Sequence, residues 1–315
     1  MILVVTNRAD VVVDLVVLEL QAAGIEYLRL NTDALLKECA VTIDPFDAGR
    51  SELRAGMRRI RAAEISAVYW RRPAPPTVPM ETTEAVAAFC VRESRALLDA
   101  FFSAIGGKWV SHPRAIATAS AKPLQLREAK ALGFTVPATV FTGDPSAARA
   151  FLAAAKGPVV VKTIDSPRLD EPGEPQIVFT RVVTADEVDD TLRYAPGIFQ
   201  RLVEKEYDLR VTVVGDEVFA TRIDSQRSAE SRVDWRATRY DSSAHIRWTL
   251  PVDVHARCAA LTHKFGLAYA AIDLCVDAAG VHHFLELNPN GEWGWNQTHV
   301  GYPIAARIVK ELLAP

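Results

Sequence analysis

Three oxygen-bearing side chains lie on or next to the last two strands that the sequence predicts. The strand at 270–276 carries Asp273, and the strand at 281–287 carries Glu286, with Asn288 directly after it. Glu286 and Asn288 are two positions apart and leave the same face, and an antiparallel neighbour can bring Asp273 beside them. Such hard oxygen ligands suit Mg²⁺, which favours carboxylates together with phosphate oxygens. The alternative, exposed polar ends of a hairpin, is weakened because the strands are otherwise apolar and buried acids without a cation are costly.

Two lysines upstream have the chemistry to bind phosphate. Lys162 stands near the end of an apolar strand predicted at 158–163, where a charged group commonly faces a ligand. Lys122 lies on a helix predicted over 114–132, and for this residue alone a surface position is an easy alternative. Phosphate recognition explains both lysines, each acting as a point charge on a different phosphate.

A further set of charges lies on two strands in the second half of the chain. Asp208 and Arg210 alternate out of an apolar strand predicted at 207–214, and the next strand, at 217–223, supplies Arg222. An Asp-x-Arg pair is common by chance. It becomes informative only in combination with the lysines and the oxygen donors.

The elements that must position these side chains are those of a mixed α/β protein. Residues 1–110 predict a small doubly wound domain, which has no glycine-rich dinucleotide fingerprint. Strands at 198–203, 207–214 and 217–223 are predicted to form one antiparallel sheet. The stretch 165–175 is rich in Pro, Asp and Glu and predicts an exposed loop.

Length and composition limit the functional classes. The chain has 315 residues and a formal net charge of −3, which excludes a globally basic nucleic-acid binder. A hydrophobic fraction of 49% with 24% charged residues is typical of a water-soluble globular protein of about two domains. No signal peptide or bilayer-spanning run is present, so we expect a cytoplasmic protein that does not enter a membrane. The four cysteines are far apart and are predicted to be buried thiols.

Five short motifs run along the chain in order: Tyr69-Trp-Arg-Arg-Pro73, Ser111-His-Pro113, Lys122-Pro-Leu-Gln-Leu126, Gly133-Phe-Thr-Val-Pro137 and Leu285-Glu-Leu-Asn-Pro-Asn-Gly-Glu-Trp293. With the charged residues above, the chain resembles the ATP-grasp superfamily over essentially its whole length. The motifs look like those of the ATP-grasp maturases of ribosomally made peptides, the microviridin-type or graspetide synthetases. The closing stretch at 288–295 is the most selective, because members acting on free amino acids usually diverge after the metal-binding Asn. No glycine-rich phosphate loop is apparent around 164–177, which departs from the superfamily pattern.

The resemblance implies the ATP-grasp fold, with α/β and α+β parts. Residues 1–110 would form an N-terminal Rossmann-like domain, called the pre-ATP-grasp domain. Residues 111–197 would form a central α+β subdomain that acts as a lid. Residues 198–315 would form a C-terminal antiparallel-sheet subdomain with the magnesium-binding and catalytic residues. ATP would lie between the two α+β subdomains.

The resemblance also implies a role for each candidate residue. The segment at 234–241 borders the acceptor site in related ligases, so Arg236 would hold a substrate carboxylate or phosphate oxygen, with a solvated loop as the alternative. The ATP-binding set is Lys122 and Lys162 for the phosphates, Gln200, Arg201, Leu202 and Val203 for adenine, and Asp208 for the ribose; the catalytic cations are Arg210, Arg222 and Arg236; and the Mg²⁺ ligands are Asp273, Glu286 and Asn288.

The implied activity is an ATP- and Mg²⁺-dependent ligation of carboxylates to alcohols or amines. Its substrate would be a ribosomally synthesised precursor peptide with a leader and a core, whose Asp or Glu side chains become acyl phosphates and then intramolecular ω-ester or ω-amide crosslinks. One alternative is a ligase that adds a free amino acid to a peptide or small acid. Another is a regulatory module that binds nucleotide without turnover, which a full set of metal ligands disfavours. The leader is expected to dock at 165–183 or on a helix predicted at 185–193, and the protein is a possible homodimer.

Overall fold

The computed structural model describes residues 1–165, 168–169, 176–237 and 244–314. The amino-terminal part consists of β1 (Ile2–Thr6), α1 (Val13–Ala22), β2 (Tyr27–Asn31), α2 (Leu35–Glu38), β3 (Cys39–Thr42), β4 (Glu52–Ala55), β5 (Arg58–Arg61), β6 (Ala67–Trp70), α3 (Glu84–Ser103) and β7 (Lys108–Val110). Four of these strands form a parallel sheet in the order β2-β1-β6-β7, and β3, β4 and β5 form a small antiparallel sheet. The predicted doubly wound domain is therefore present.

Strand β1 shows why this sheet forms. All five of its residues are buried, because alternate side chains enter two separate hydrophobic cores on the two faces. Leu3 and Val5 pack in the core that contains Phe101 of α3. Ile2 and Val4 pack in the core on the opposite face, which the carboxyl-terminal part of the chain completes.

The middle of the chain forms a second, antiparallel sheet. It consists of α4 (Pro113–Ala119), α5 (Lys122–Ala131), β8 (Thr139–Thr142), α6 (Pro145–Ala154), β9 (Val159–Thr163), β10 (Arg168–Leu169), β11 (Gln176–Ile177), β12 (Arg181–Val183) and β13 (Gly197–Arg201). The sheet order is β12-β9-β13-β8, with β10 and β11 paired separately. The interior of the exposed loop predicted at 165–175 lies largely outside the described residues.

Three sequence predictions in this region need correction. The single helix predicted over 114–132 is two helices, because Pro123 has no N–H to donate and is tolerated only in a first helical turn, here that of α5. The helix predicted at 185–193 is two short 3₁₀ segments. Strand β13 pairs with β8 and β9, not with the strands that follow it, so the boundary predicted at 197/198 cuts into that strand.

The last part of the chain forms a five-stranded antiparallel sheet. Its elements are β14 (Lys205–Val214), β15 (Glu217–Ile223), β16 (His245–Trp248), α7 (Val252–Lys264), β17 (Tyr269–Asp277), β18 (His282–Asn288), α8 (Gly294–Thr298) and α9 (Ile304–Leu313). The order is β16-β15-β14-β17-β18. Helix α7 covers one face, together with residues of α5 from the middle of the chain. The other face packs partly on α9 and the amino-terminal sheet, and its remaining part carries polar side chains.

Candidate active site

The centre of the candidate site is a row of three charged residues across three strands. Arg210 of β14 lies opposite Asp273 of β17, and Asp273 lies opposite Glu286 of β18. Asn288 lies opposite Ala271, one step along the same face. The antiparallel register therefore brings together the three oxygen donors that the sequence singled out.

Cations from the protein compensate both carboxylates. The Arg210 guanidinium donates from Nη1 to the two Asp273 oxygens at 3.0 Å each. Burial raises the pKa of Asp273, and the Arg210 charge opposes that rise. Burial also acts to raise the pKa of Glu286, but Lys122, whose Nζ lies 2.5 Å from the Glu286 carboxylate, outweighs it and holds this pKa at about 2. Glu286 therefore stays ionised.

The donor set fits Mg²⁺. Two carboxylates and an amide are hard oxygen ligands, and they leave coordination positions for phosphate oxygens and water. Asn288 Oδ1 accepts a hydrogen bond from the Asn290 N–H at 3.0 Å, which orients the amide. Within the described part of the chain, no cluster of three His, Cys, Asp or Glu side chains forms a metal site. Asp273, Glu286 and Asn288 are the residues that would hold the ion.

The two predicted phosphate lysines reach the same place from different elements. Lys122 is the first residue of α5, and Lys162 is near the end of β9. Lys162 Nζ donates to Gln200 Oε1 at 2.7 Å. Burial lowers the pKa of Lys162, whereas the Glu286 charge acts to raise it. The structure thus places both ammonium groups around Glu286.

Two adjoining pockets meet at this cluster. The first is bordered by the predicted adenine segment Gln200, Arg201, Leu202 and Val203, with Asp208 and Asp273. The second is bordered by Lys122 and Asn288. Both pockets share Lys162, Thr180, Arg236 and Glu286. The site is therefore a continuous cleft with the carboxylates and cations at its middle.

Lys205 is a cleft residue that the sequence reasoning missed. Its ammonium forms a buried ion pair with Asp208 at 2.7 Å and borders the first pocket. Burial raises the pKa of Asp208, and the Lys205 charge acts against this. In a regular strand, residues three apart leave opposite faces, so the sequence carries no signal for this pair; a register shift between Lys205 and Tyr207 interrupts the alternation in β14.

Arg222 borders neither pocket, so the geometry gives no support to its predicted catalytic role. Arg222 lies opposite Leu209, whereas Arg210 lies opposite Thr221, so the two arginines leave opposite faces of the sheet. The Arg222 guanidinium stacks over Tyr207, 4.2 Å from the ring centroid, and pairs with Asp224 at 2.8 Å.

Arg210 and Arg236 occupy different depths of the site. Arg210 is buried behind Asp273 and borders neither pocket; its Nη2 donates to the Glu292 carbonyl at 3.1 Å. Arg236 borders both pockets and makes two side-chain hydrogen bonds to Asp234, at 2.9 and 2.8 Å. These bonds lower the pKa of Asp234 to about 2, against a burial effect that would raise it. The charged residues at 239–241 lie outside the described residues.

Two arginines of the amino-terminal motif reach the segment that follows β18. Arg71 is buried and pairs with Asp10 at 3.3 Å and Glu292 at 2.9 Å. It also donates to the carbonyls of Asn290 and Gly291. Arg72 borders the second pocket. The amino-terminal domain therefore holds the backbone immediately after β18.

The fold and the cleft together define an ATP-grasp ligase. Residues 1–117 match the family described as the MvdD pre-ATP grasp domain. A RiPP-associated ATP-grasp ligase from Chryseobacterium gregarium, solved with ADP and a leader and core peptide, is 30% identical, with a TM-score of 0.89 over 100% of this chain and 97% of that chain. The chain belongs to this family of ATP-grasp ligases associated with ribosomally synthesised and modified peptides.

Two further structures are similar. The macrocyclase MdnC from Microcystis aeruginosa MRC, bound with the precursor peptide MdnA, is 26% identical, with a TM-score of 0.87 over 99% of both chains. The macrocyclase MdnB from the same organism is 26% identical, with a TM-score of 0.80 over 100% of this chain and 99% of that chain. A search of curated proteins by sequence gives no match. Among the described residues, no helix is long and apolar enough to span a bilayer.

Proposed function

We propose that this ligase crosslinks a ribosomally synthesised precursor peptide. It uses ATP to convert Asp or Glu side chains of the core into acyl phosphates, and a Ser, Thr or Lys side chain of the same peptide then displaces phosphate. The products are intramolecular ω-esters or ω-amides, ADP and phosphate. Direct condensation in water is uphill with hydroxide as a poor leaving group, and phosphorylation removes both obstacles.

One observation carries the proposal. Lys122, Lys162 and Arg236 surround the paired carboxylates Asp273 and Glu286 where two pockets join. A pocket on each side of a phosphate-binding centre suits a reaction between a nucleotide and a second substrate. The likeness to ligases solved with ADP and with precursor peptides supports the same assignment.

The first pocket suits the nucleoside of ATP. Gln200, Arg201, Leu202 and Val203 border it as the chain leaves β13, and backbone groups there can pair with an adenine edge. Asp208 lies deeper, in position to accept a hydrogen bond from a ribose hydroxyl. Lys162 then stands between this pocket and the carboxylates and would bind the phosphates.

The catalytic contribution of the protein is positioning and electrostatics. Lys122, Lys162 and Arg236 would neutralise the charge that develops when a substrate carboxylate attacks the γ-phosphorus. Mg²⁺, when bound by Asp273, Glu286 and Asn288, supplies charge neutralisation at the phosphate oxygens. Arg210 holds Asp273 in place, and its charge opposes the rise in the pKa of Asp273 that burial causes.

The precursor leader would dock on the middle sheet. Strand β12 is an edge strand, and the stretch at 176–183 exposes Ile177, Val178 and Val182. An exposed edge can accept a further strand, and apolar side chains beside it give selectivity. A homodimer remains a further proposal that rests on the family resemblance.

Intact-mass analysis tests the function. A candidate precursor peptide, with a leader and a core that carries Asp or Glu, is incubated with enzyme, ATP and Mg²⁺, with a reaction lacking ATP and a Glu286→Gln enzyme as controls. Loss of one or more water masses, only with wild-type enzyme and ATP, is the expected result. A gain of an amino-acid residue mass would instead indicate the ligase that adds a free amino acid. No mass change and no ATP consumption would indicate a nucleotide-binding module without turnover.

A further inference from the structure

Arg72 has an unusual backbone conformation at the end of the first-domain sheet. It is the second residue after β6 and has a φ of 47°, the one positive value at a non-glycine position in the described chain. Left-handed backbone is unfavourable for a residue with a Cβ, and a residue before proline, here Pro73, favours extended backbone. Such conformations persist where the surrounding structure enforces them, and they concentrate at functional sites.

Neighbouring side chains enforce this conformation. Asn7 Nδ2 donates to the Arg72 carbonyl at 2.6 Å. Two residues on, Thr32 Oγ1 accepts from the Ala74 N–H at 2.9 Å and donates to the Ala74 carbonyl at 2.7 Å. Hydrogen bonds therefore fix the backbone on both sides of Pro73, and this backbone conformation sets the direction of the Arg72 side chain.

The side chain is aimed into the cleft. Its Nε donates to the Asn290 carbonyl at 3.1 Å, and its Nη1 lies 3.1 Å from the Glu292 carboxylate. The side chain is 43% exposed and borders the second pocket with Lys122 and Asn288. Among the described residues these are its two polar partners, so N–H groups remain for a ligand.

The position along the cleft indicates which ligand. Arg72 borders the second pocket and not the first, where the adenine and ribose residues lie. Lys162, Arg236 and Glu286 stand between, at the junction of the pockets. An anion at Arg72 is therefore on the far side of the phosphate-binding centre from the nucleoside, which is where the attacking carboxylate must lie for in-line transfer.

We propose that Arg72 binds the side-chain carboxylate that receives the γ-phosphoryl group, and this rests on the proposed function. A guanidinium matches the planar geometry of a carboxylate and can donate two parallel hydrogen bonds. Arg71 has the complementary structural role, because it is buried and already bound to Asp10, Glu292 and two carbonyls. Of these two neighbouring arginines, Arg71 thus stabilises the fold and Arg72 binds the substrate.

The test uses Arg72→Gly, because glycine adopts positive φ without strain and removes only the side chain. Hydroxylamine traps acyl phosphates: its nitrogen attacks the carbonyl carbon, phosphate leaves and a hydroxamate forms. We expect the peptide KM for hydroxamate formation to rise about 10- to 100-fold, with the KM for ATP and the unfolding temperature maintained. Arg72→Lys, which keeps the charge without the fork, should fall between glycine and wild type.

Two results would overturn the assignment. An unchanged peptide KM in Arg72→Gly would show that the side chain does not hold the carboxylate. A rise in the KM for ATP instead would make Arg72 a phosphate ligand. Hydroxamate formation measures only the conversion of the carboxylate to an acyl phosphate. An enzyme that forms the acyl phosphate without crosslinking the peptide would contradict the proposed function, but its peptide KM would still test the role of Arg72.

Discussion

Arg210 and Arg222 show that position on a sheet, and not residue type, decides which charges can act. Both are arginines on adjacent strands, but their partners across the ladder are Thr221 and Leu209, so they leave opposite faces. Of the two, only Arg210 lies beside Asp273, one of the carboxylates that we propose to bind Mg²⁺. Its role in the present geometry is to hold Asp273, whose pKa burial would otherwise raise further.

Replacement of Arg210 by alanine should therefore weaken magnesium use. Without the guanidinium, the buried Asp273 carboxylate loses its partner and binds a proton more readily. We expect kcat to fall about 100-fold and the Mg²⁺ concentration for half-maximal rate to rise, with a smaller change in the KM for ATP. Steady-state rates across a Mg²⁺ titration measure this.

Arg222→Ala is the matched control, since it removes the same side chain from the other face. Its Mg²⁺ requirement should equal that of the wild type. Equal Mg²⁺ requirements in wild type and Arg210→Ala, or a collapse of ATP affinity alone in Arg210→Ala, would contradict the positioning role.

Asp234 gives a pH-dependent contribution to stability. Its pKa falls from 3.8 to about 2 in the folded protein, chiefly through Arg236, although burial opposes the fall. A lowered carboxyl pKa stabilises the fold above the unfolded value, and this contribution is lost as pH falls from 3.8 to about 2. The shift corresponds to about 2 kcal/mol.

Urea unfolding of the wild type and Asp234→Asn measures this contribution. Asparagine keeps the shape but not the charge, so the difference in unfolding free energy should be about 2 kcal/mol near neutral pH and should shrink as the medium is acidified below 3.8. A difference that stays constant down to the lowest accessible pH would rule out the ion pair as its origin.

At the scale of elements, the segment between β18 and α8 is the part of the site with least room. A Cβ at Gly291 would lie 2.4 Å from the Ala271 Cβ and 2.8 Å from Arg210 Nη2. The carbonyl of Gly291 also accepts from Arg71 and from the Tyr269 hydroxyl. Position 291 therefore requires glycine, because neighbouring atoms leave no room for a Cβ.

Gly291→Ala should displace this segment and lower activity more than a distant glycine substitution does. We expect a loss of about 1–3 kcal/mol in unfolding free energy together with reduced turnover, read by urea unfolding and by the mass assay. Gly106→Ala is the control, because nothing lies within 4 Å of its Cβ and its φ is ordinary. Similar stabilities of the two variants would show that the segment adapts at little cost.

The sequence predicted elements and same-face relations well where short-range chemistry decides them. The two-residue spacing of Glu286 and Asn288 already placed them on one face, and the apolar run before Lys162 already predicted β9. Pairing between distant strands was harder. β13 was predicted in the last sheet, because its apolar pattern is the same in either sheet and only its ladder with β8 and β9 distinguishes them.

Trp293 and Trp295 also show that local side-chain alternation does not settle the structure. In an extended segment, Trp293 and Trp295 would share one side, because they stand at alternate positions. The chain instead turns into α8 at this point, and Trp293 is fully buried with its indole N–H 3.3 Å from the Tyr69 hydroxyl. Trp295 packs against Trp235, 5.9 Å between ring centroids. A short helix carries too little periodic signal to be recognised between two glycines.

At the scale of the whole molecule, packing does not follow the order of the chain. Helix α5 packs on the last sheet, and α9, from the end of the chain, packs against the first sheet. One core joins Ile2 and Val4 of β1 with Ile308 of α9 and Tyr269 of β17. The predicted boundaries at 110 and 197 are thus bridged by shared hydrophobic cores, which keep the arginines of the first domain in register with the cleft.

This shared core predicts that the first and last sheets unfold together. Ile308 is fully buried in it, so Ile308→Ala should lower the unfolding free energy by about 3 kcal/mol. Leu313→Ala on the same helix is the control, since Leu313 is 53% exposed and should lose much less. Urea unfolding followed by circular dichroism and by tryptophan fluorescence should show one transition, shifted equally for both signals in Ile308→Ala. A shift in only one signal would mean that the two sheets are stable independently. In that case, only the ion pairs of Arg71 and Arg72 would hold the first domain at the cleft.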